Sequence, residues 1–405
     1  MIIRKAYQYR LKTNFSQESF FRQQAGCCRY VWNKALALQK ERLDAGEKVL
    51  RYGMLTNLLT LWKHEEESSW LSKVHSQPLQ QTLKFLDKAL MEAFDKSNPK
   101  RFPKFKKKGQ SDSFRYPQGF KLDNDRVYLP KVGWVRFHKS RDIEGIVRNI
   151  TVSRRGAHWY VSIQTEIEVA EPVHPSVSTV GIDMGVARFA TLSDGSFLEP
   201  LNSFKKHETA LRKAQQSMSR KVKFSQNWKK AKARIQSLHV RIGDTRNDYL
   251  HKASSTISKN HAIVCMEDLQ VRNMSRSAAG TTENPGKKVR AKSGLNKSIL
   301  DQGWYEFRRQ LDYKLEWSGG YLIVVPPHNT SRTCPHCGHV SADNRKTQAR
   351  FVCVECGYSE HADLVGAINI LRAGHARCAC QVSDAVRTPA AGTLRGELVA
   401  ASGLP

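Results

Sequence analysis

The sequence lacks any apolar run long enough to cross a membrane, and it is poor in acidic residues. No stretch of its 405 residues reaches the roughly 18 apolar residues of a spanning helix, and the opening MIIRKAYQYR lacks the apolar core of a signal peptide. Only 37 acidic residues accompany 66 Lys and Arg, so the formal net charge is +29. Such an excess attracts polyanions, of which nucleic acid is the most common. We therefore expect a cytoplasmic protein that binds nucleic acid and no membrane.

Cysteine is scarce as well, and its spacing does not suggest a disulfide framework. Nine is an odd number, and four cysteines form the pairs CPHC (334–337) and CVEC (353–356), with fifteen residues between the pairs. This spacing is typical of a zinc ribbon, in which one structural Zn²⁺ takes four tetrahedral sulfur ligands, while two unrelated pairs or a redox pair are the alternatives. The predicted ligands are Cys334, Cys337, Cys353 and Cys356. The cysteines that we expect to be buried or incidental thiols are Cys27, Cys28, Cys265, Cys378 and Cys380.

Hydrophobic periodicity divides the chain into strands and helices. Residues 2–12 alternate like a strand, residues from about 16 to 96 are helical in pattern, and residues 113–170 return to strands. We interpret these strands as a small β-barrel or curled sheet, which the first strand joins across the helical insertion. Further on, VGIDM, HAIVCMEDL and YLIVV are typical of buried strands, and SILDQGWYEFRRQLDYKLEW is typical of an amphipathic helix.

Positive charge is concentrated in two segments. PKRFPKFKKK (99–108) interleaves phenylalanines with lysines, which suits a loop that clamps a nucleic-acid backbone, and a solvated loop is the alternative. Between residues 205 and 246 there are thirteen Lys or Arg and two acidic residues, an imbalance that favours contact with phosphates. The candidate nucleic-acid contacts in these segments are Lys104, Lys106, Lys229, Lys230, Arg234 and Arg241.

Three carboxylates occur where metal-dependent chemistry needs them. Asp183 lies in the apolar strand pattern VGIDMGV, Glu267 ends the strand pattern IVCME, and Asp363 begins the helix pattern ADLVGAINILRAG. Acids from two strands and a helix are the components of a site that cleaves phosphodiesters with two Mg²⁺ ions. Each acid also has a simpler explanation, as a helix cap, a turn residue or a strand end. The pattern leaves open whether Glu267 or its neighbour Asp268 is the relevant acid.

Five motifs follow one another in a fixed order along the chain. They are VGIDMGVARFATLSDG, VCMEDLQVRNM, DQGWYEFRRQLDYK, NTSRTCPHCG with CVECG, and ADLVGAINI. Together they resemble the TnpB family, the RNA-guided DNA nucleases that insertion sequences encode and that are regarded as ancestral to type V CRISPR effectors. LPKVGWVRF and the segment from SSWLSKV to LQQTLKFLDKA are also similar to this family, so the resemblance spans residues 1 to about 372.

The resemblance implies an α/β and β multidomain protein. A RuvC-like nuclease domain of the RNase H fold would contain an inserted zinc ribbon, and a wedge β-barrel would carry an inserted helical recognition domain. The implied bounds are 1–12 and 113–172 for the wedge, 13–112 for the recognition domain, 178–330 and 357–373 for the nuclease domain, and 331–356 for the ribbon. We expect residues 374–405 to form a disordered tail.

The resemblance also implies roles for individual residues. Asp183, Glu267 and Asp363 map onto the catalytic triad of the family, which selects Glu267 over Asp268 and implies two catalytic Mg²⁺ ions. The implied partners are a guide RNA from the transposon end and double-stranded target DNA, and we expect a monomeric, nucleoid-associated prokaryotic protein. The residues similar to those that read a short motif beside the target are Tyr52, Gln80 and Lys84.

Two positions depart from the family pattern. The family commonly has Asn two residues after the last catalytic Asp and Arg just before it, whereas this chain has Val365 and Ala362. We expect these residues to affect the cleavage rate without inactivating the site.

Three other functions would use some of the same features. They are an RNA-guided repressor that binds DNA without cutting it, a transposase that performs strand transfer, and a plain zinc-ribbon nucleic-acid binder. The complete set of three acids disfavours the repressor, and the plain binder would leave Asp183 unexplained. Strand transfer shares the metal chemistry, so the acids do not exclude it.

Overall fold

The computed structural model describes residues 1–97 and 100–387, with side chains as far as Cys378. The predictions for the thiol of Cys380, for Pro99 and for the tail beyond residue 387 lie outside the described residues. The chain divides into two compact units, which we describe separately. The first consists of Met1–Ala170 with Met218–Val240, and the second of Glu171–Ser217 with the chain from Arg241 onward.

The first unit is built on a seven-stranded antiparallel sheet. Its strands are β1 (Ile2–Lys12), β2 (Ser113–Tyr116), β3 (Lys121–Asp123), β4 (Arg126–Leu129), β5 (Gly133–Phe137), β6 (Ile146–Arg155) and β7 (His158–Glu168). Their order in the sheet is β2-β6-β7-β1-β5-β4-β3. Because β1 pairs with β7 and β5, the first strand joins strands that follow the helical insertion, as the sequence predicted. The pairings of the described residues leave the sheet open, and its closure into a barrel stays a prediction.

Helices of the first unit fill the insertion between β1 and β2. They are α1 (Phe15–Asp44), α2 (Tyr52–His64), a short 3-10 helix (Glu66–Lys73) and α3 (Ser76–Phe94). The side chain of Asn14 accepts the Gln17 N–H, and the Gln17 side chain accepts the Asn14 N–H, so a reciprocal cap begins α1. Four leucines at helical spacing on α3 are fully buried in the core, namely Leu79, Leu83, Leu86 and Leu90.

The second unit contains a five-stranded mixed sheet. Its strands are β8 (Thr179–Met184), β9 (Ala190–Leu192), β10 (Phe197–Leu198), β11 (Ile263–Glu267) and β12 (Tyr321–Val325), in the order β10-β9-β8-β11-β12. β8, β11 and β12 are parallel, whereas β9 and β10 are antiparallel to their neighbours. Parallel strands are covered on both faces, which is why the strand sequences are nearly continuous apolar runs. A separate hairpin pairs β13 (Arg350–Val352) with β14 (Ser359–His361).

Six helices of the described residues belong to the second unit or continue into it. They are α4 (Ser203–Ser219), α5 (Gln226–Asn260), α6 (Val271–Met274), α7 (Val289–Gln302), α8 (Trp304–Ser318) and α9 (Ala362–Arg387). The sequence predicted one helix across residues 298–317, but Gly303 adopts a left-handed φ of 76° that ends α7 and begins α8. Within the described part of the chain, none of the helices has the length and apolarity that crossing a bilayer requires.

The prediction of a disordered tail from residue 374 is wrong for residues 374–387, because α9 continues to Arg387. No Gly or Pro follows Gly374 before Pro389, so the local sequence permits the longer helix. Gly374 itself suits a close approach to the sheet, since a Cβ at this position would lie 2.2 Å from the Sγ of Cys265.

Direct backbone contact fixes α9 on the sheet. A Cβ at Gly181 of β8 would lie 2.2 Å from the carbonyl oxygen of Ala367 and 2.7 Å from the backbone nitrogen of Leu371. Real Cβ contacts are never this short, so only glycine fits between β8 and α9 at this point. The start of α9 is thereby held against the strand that carries Asp183.

A buried carboxylate anchors the basic helix α4. Asp301 of α7 is 7% exposed, and it accepts hydrogen bonds from the Ser203 hydroxyl at 3.0 Å and from the Phe204 N–H at 2.9 Å. The guanidinium of Arg246 lies 3.8 Å from the same carboxylate. Since the first N–H groups of a helix have no partner within it, Asp301 caps α4 from a neighbouring helix.

The substitution Asp301→Ala should show how much the start of α4 depends on this cap. Loss of the cap should lower the free energy of unfolding by about 2 kcal/mol. Urea unfolding measures the change in the free energy of unfolding. Amide hydrogen exchange at Phe204 and Lys205, detected by mass spectrometry, measures the loss of the cap. Asp312→Ala, at an exposed position of α8, is the matched control and should leave both measurements near wild type. Equal effects of the two substitutions would rule out a special role for Asp301.

Candidate functional site

Three acidic side chains converge at one edge of the five-stranded sheet. Asp183 is the fifth residue of β8, and Glu267 is the last residue of β11. These strands are parallel neighbours with Met266 opposite Ile182, so Glu267 follows beside Asp183 at the carboxyl ends. Asp363 is the second residue of α9, whose first turns pack on β8. The fold therefore brings the three predicted acids together.

Asp183 occupies the most desolvated position of the three. Burial and, to a smaller extent, the negative charges of Glu267 and Asp363 together raise the pKa of Asp183 to about 8, against the opposing effect of the Arg345 guanidinium. An ionised carboxylate in such surroundings needs a cation or hydrogen-bond donors to offset the loss of water. The electrostatic influence of each acid on Asp183 shows that they share one site.

The other two acids are held by specific partners. The Thr330 hydroxyl donates to Glu267 Oε1 at 2.5 Å, and burial raises the pKa of Glu267 while this hydrogen bond and Arg345 oppose the increase. Asp363 Oδ1 lies 3.5 Å from the Arg345 guanidinium, and its Oδ2 lies 3.9 Å from His361 Nδ1. Asp363 therefore shares the charge of Arg345 with the other two acids, which its position at the start of a helix alone would not require.

Asp268 has a different set of partners from its neighbour Glu267. Arg308 of α8 donates to Asp268 Oδ1 at 2.6 Å, and the Gln270 amide donates to Oδ2 at 3.2 Å. The geometry groups Glu267 with Asp183 and leaves Asp268 in a surface ion pair. This arrangement favours Glu267 in the choice that the strand pattern left open, and its catalytic role stays a prediction.

Arg345 is a component of the site that the sequence analysis missed. It lies between the two cysteine pairs, in the loop that precedes β13, and its guanidinium also donates to the Gln348 carbonyl at 2.9 Å. Its charge lowers the pKa of both Asp183 and Glu267. An arginine in the polar stretch NRKTQAR carries no periodicity or motif that would have indicated this contact.

The four predicted cysteines form a compact cluster. Cys334 Sγ lies 3.6 Å from Cys356 Sγ, and Cys337 Sγ lies 3.6 Å from Cys353 Sγ. An ion with four sulfur ligands at about 2.3 Å in tetrahedral geometry separates the sulfurs by about 3.8 Å. In the described residues, this is the one set of three or more His, Cys, Asp or Glu ligand atoms that all lie within 4.8 Å of one another. The cluster can hold one metal ion.

Because the cysteines are the one such set in the described residues, the oxygen atoms of Asp183, Glu267 and Asp363 do not all lie within 4.8 Å of one another. The three carboxylates are more widely spread than the four sulfurs. Ligands of two ions that lie about 3.5–4 Å apart are spread in this way, since one acid bridges the pair and the others bind single ions. Their oxygen atoms suit a hard cation such as Mg²⁺ and not the softer ions that thiolates select. The two candidate centres thus differ in both ligand type and spacing.

The departures Ala362 and Val365 belong to the core beneath the cysteines. Both are fully buried, and they pack with Cys334, Phe351 and Cys353. Their apolar side chains therefore join α9 to the cysteine cluster. This contact gives a packing reason for residues that the family pattern left unexplained.

Helix α9 is also tied to the segment before the first cysteine pair. The Asn369 amide donates to the carbonyl oxygens of Thr330 at 2.8 Å and Thr333 at 2.7 Å. Because Thr330 also holds Glu267, one amide links the helix that carries Asp363 to the hydroxyl that orients Glu267.

The predicted contacts to the motif beside the target lie in the first unit. Gln80 and Lys84 are exposed one turn apart on α3, whereas Tyr52 is half-buried at the start of α2. Lys84 lines a groove together with other cationic side chains, namely Lys88, Arg115 and Arg148. The structure thus groups two of the three predicted residues on one face, and their role in DNA recognition stays a prediction.

The loop that contains Lys104 and Lys106 is attached to α1. Trp32 Nε1 donates to the Lys104 carbonyl at 3.0 Å, and the Asn33 amide exchanges two hydrogen bonds with the Lys106 backbone. The Lys106 ammonium lies 4.0 Å from the centre of the Trp32 ring, and burial lowers its pKa. Both lysines are exposed, and Lys106 in addition contacts the Trp32 ring.

The remaining candidates lie on the long helix α5. Its apolar side is half-buried at Ile235 and buried at Ile242. The four cationic candidates are exposed, namely Lys229, Lys230, Arg234 and Arg241.

Comparisons with known proteins identify the family. The OrfB_IS605 family model, described as "Probable transposase", matches residues 162–278, and models of a helix-turn-helix domain and of the Cas12f1-like TNB domain match residues 1–48 and 304–370. The chain is 54% identical over 378 residues to the Escherichia coli K12 protein named "Putative RNA-guided DNA endonuclease InsQ", which covers 93% of this chain and 94% of that protein. The chain belongs to the OrfB_IS605, or TnpB, family. The family resemblance in the sequence is thereby confirmed.

More distant TnpB relatives cover less of the sequence or are less similar. A Streptomyces pristinaespiralis protein that carries the same name without "InsQ" is 32% identical over 392 residues, or 95% of this chain and 92% of its own length. Cas12f1 of Sulfoacidibacillus thermotolerans is 25% identical over 234 residues, or 52% of this chain and 49% of its own. A structure of a Cas12f1-sgRNA-target DNA complex aligns at 17% identity and a TM-score of 0.34, over 91% of this chain and 99% of that one. This TM-score is too low to establish a shared fold.

The match at residues 1–48 of this TnpB protein differs from its description. The segment folds as the single strand β1 followed by the 30-residue helix α1, so the described residues form no helix-turn-helix there.

Gly366 offers a test of the packing around Asp183. A Cβ at Gly366 would lie 2.8 Å from Asp183 Oδ2, so Gly366→Ala should lower the free energy of unfolding by about 1–3 kcal/mol through overpacking. Urea unfolding measures the change. Gly294→Ala is the matched control, because nothing lies within 4 Å of a Cβ at this position of α7 and the substitution should stabilise the helix.

A second background makes the Gly366 test specific. In Asp183→Ala the obstructing oxygen is absent, so adding Gly366→Ala should cost little further stability. If Gly366→Ala is equally destabilising in both backgrounds, Asp183 is not the side chain that excludes a methyl group.

Proposed function

We propose that this TnpB-family chain is an RNA-guided DNA endonuclease that hydrolyses phosphodiester bonds with two Mg²⁺ ions. The observation that carries this function is the convergence of Asp183, Glu267 and Asp363 from β8, β11 and α9, with a raised pKa at Asp183. The names of the InsQ relative and the Streptomyces relative support guide RNA and target DNA as partners. The net charge of +29 is consistent with both.

The domain assignments follow from the same family. We assign the five-stranded sheet and α9 to a RuvC-like nuclease domain of the RNase H fold, with residues 331–356 as its inserted zinc ribbon. The seven-stranded sheet is assigned to the wedge, and α1 to α3 to the recognition domain. The separation of the sulfurs, 3.6 Å in both pairs, supports Zn²⁺ in the ribbon. We further propose a monomeric, cytoplasmic, nucleoid-associated protein.

The residues of the acidic site have different roles in the proposed reaction. Asp183, Glu267 and Asp363 would together hold the two ions through their carboxylate oxygens. Bound Mg²⁺ ions would supply an activated water and stabilise charge on the leaving 3′ oxygen. Thr330 fixes the carboxylate of Glu267, and Arg345 places a positive charge beside Asp363, where it can offset the charge of a phosphate. The remaining acid, Asp268, has no part in this arrangement.

The decisive test is to purify the chain from cells that express the flanking transposon sequence and to sequence any RNA that co-purifies. The complex is then incubated with Mg²⁺ and a plasmid library that carries a guide match beside randomised positions. A bound RNA and cuts beside one enriched short motif support the function. Bound RNA with target binding and no cuts indicates an RNA-guided repressor, joined products indicate strand transfer, and absence of bound RNA excludes guidance.

Substitution of the acids should separate catalysis from binding. Asp183→Ala, Glu267→Gln and Asp363→Asn should each reduce cleavage at least about a hundredfold, because each removes a ligand of the ions. Binding of RNA and target DNA, measured by filter retention, should stay near wild type. Asp268→Ala is the matched control, and it should retain cleavage because Asp268 pairs with Arg308. Cleavage that survives Asp183→Ala contradicts the assignment.

The pH dependence of Mg²⁺ binding should report Asp183. Because its pKa is raised to about 8 without an ion, a proton competes with Mg²⁺ below this pH. Mg²⁺ affinity should therefore rise from pH 6 to pH 8, by up to about tenfold per unit, and level off above. Calorimetric titration in two buffers of different ionisation enthalpy measures affinity and proton release. Asp183→Asn should bind more weakly with a flatter profile, and an affinity that is constant over this range contradicts the prediction.

A further inference from the structure

The turn between α4 and α5 presents an aromatic pair at the surface. Phe224 is 66% exposed and the nearby Val222 is 80% exposed. The rings of Phe224 and Trp228 lie 5.4 Å apart at an interplanar angle of 60°. The Lys223 ammonium lies 5.3 Å from the centre of the Phe224 ring, and the Lys232 ammonium lies 5.2 Å from that of Trp228. Trp228 is half-buried, and an exposed phenylalanine beside it among cations is unusual on a surface that only faces water.

The backbone of Phe224 is strained. Its φ is +70°, in the left-handed region that disfavours every residue with a Cβ except where the surroundings enforce it. The turn itself is closed by Ser225, whose hydroxyl accepts the Trp228 N–H at 3.2 Å and whose carbonyl accepts the Lys229 N–H at 2.9 Å. Glycine at position 224 would form the same turn without strain. The phenyl ring is therefore not explained by the turn.

Packing within the chain does not explain the ring either. An apolar residue before a helix cap often folds onto the first turn of the helix, but such a contact stabilises by burying the side chain. Phe224 keeps two thirds of its surface exposed, so little apolar area is removed from water. A strained and exposed phenylalanine is more consistent with a contact to a partner molecule.

The charge around the turn indicates the class of partner. The segment 205–246 has thirteen Lys or Arg and two acidic residues, and Arg220, Lys229 and Lys230 beside the turn are exposed. An aromatic face with flanking cations matches single-stranded nucleic acid, which offers an unpaired base to stack and phosphates to neutralise. A duplex offers the phosphates but keeps its bases stacked on one another.

We propose that Phe224 and Trp228 form a stacking platform for an unpaired base of single-stranded nucleic acid, and that Lys223 and Lys232 hold the adjacent phosphates. The inference deepens the proposed function and rests on it, because guide RNA and a displaced DNA strand both supply unpaired bases. The platform would bind nucleic acid without cleaving it, in contrast to the acidic site.

The key variant is Phe224→Gly in the full-length protein. It removes the ring and relieves the left-handed strain, so the melting temperature should stay the same or rise. Affinity for fluorescent twelve-nucleotide oligo-U and oligo-dT, measured by anisotropy without Mg²⁺, should fall about tenfold. Phe224→Trp should restore binding. Affinity for a twelve-base-pair duplex should stay within about twofold of wild type, because no base is free to stack.

Salt dependence separates the ring from the lysines. Lys223→Gln and Lys232→Gln should each reduce the slope of log affinity against log salt by about one, whereas Phe224→Gly should leave it unchanged. Phe15→Ala is the matched control, since Phe15 is 85% exposed at the start of α1 and should not affect binding.

The results also identify the strand. A larger loss on oligo-U assigns the platform to guide RNA, a larger loss on oligo-dT assigns it to the displaced DNA strand, and an equal loss shows that it accepts both. Wild-type affinity of Phe224→Gly for both single strands, or an equal loss on the duplex, overturns the platform. Because the assay needs no cleavage, failure of the nuclease function leaves this result unchanged, and an active nuclease with unaffected binding overturns the platform alone.

Discussion

The mutual repulsion of Asp183, Glu267 and Asp363 in a desolvated corner is the constraint around which the second unit is arranged. Three like charges at the end of two parallel strands would disperse if their side chains were mobile. Each is restrained instead: Asp183 by the contact with Gly366, Glu267 by the Thr330 hydroxyl, and Asp363 by the start of α9. The raised pKa of Asp183 reflects its burial first and the charges of the other two acids second.

The cysteine cluster contributes to this arrangement in two ways. The loop between its cysteine pairs places Arg345 beside the acids, where the positive charge opposes the raised pKa values of Asp183 and Glu267. It also provides the apolar surface on which Ala362 and Val365 seat the first turn of α9. A structural metal in the cluster would therefore act on the acidic site through packing and charge, without contact with substrate.

Residues whose role depends on short-range pattern were predictable from the sequence, and those whose role depends on a loop conformation were not. The apolar runs around Asp183 and Glu267 identified buried strands, and the Cys-X-X-Cys spacing identified the cluster. Arg345 and Asp301 act through contacts across 18 and 98 residues, which no periodicity encodes. Gly303 divided a predicted helix because its left-handed backbone overrides an amphipathic pattern that continues across it.

The close contact between Gly181 and Ala367 has a mechanical consequence. At Gly181 the backbone of α9 lies directly on β8, and the α9 side chain of Ile370 packs with Cys265 and Val325 of the sheet. Sliding or rolling of α9 would break both contacts, so the edge that carries Asp183 and Asp363 forms one rigid block. Any widening that admits a nucleic-acid strand must then come from the polar loop around Arg345, which lacks such a contact with the sheet in the described structure. The contact between β8 and α9 thus fixes the edge that carries the acids, whereas the loop around Arg345 governs access to it. Sequence variation in that loop can change the access without disturbing the acids.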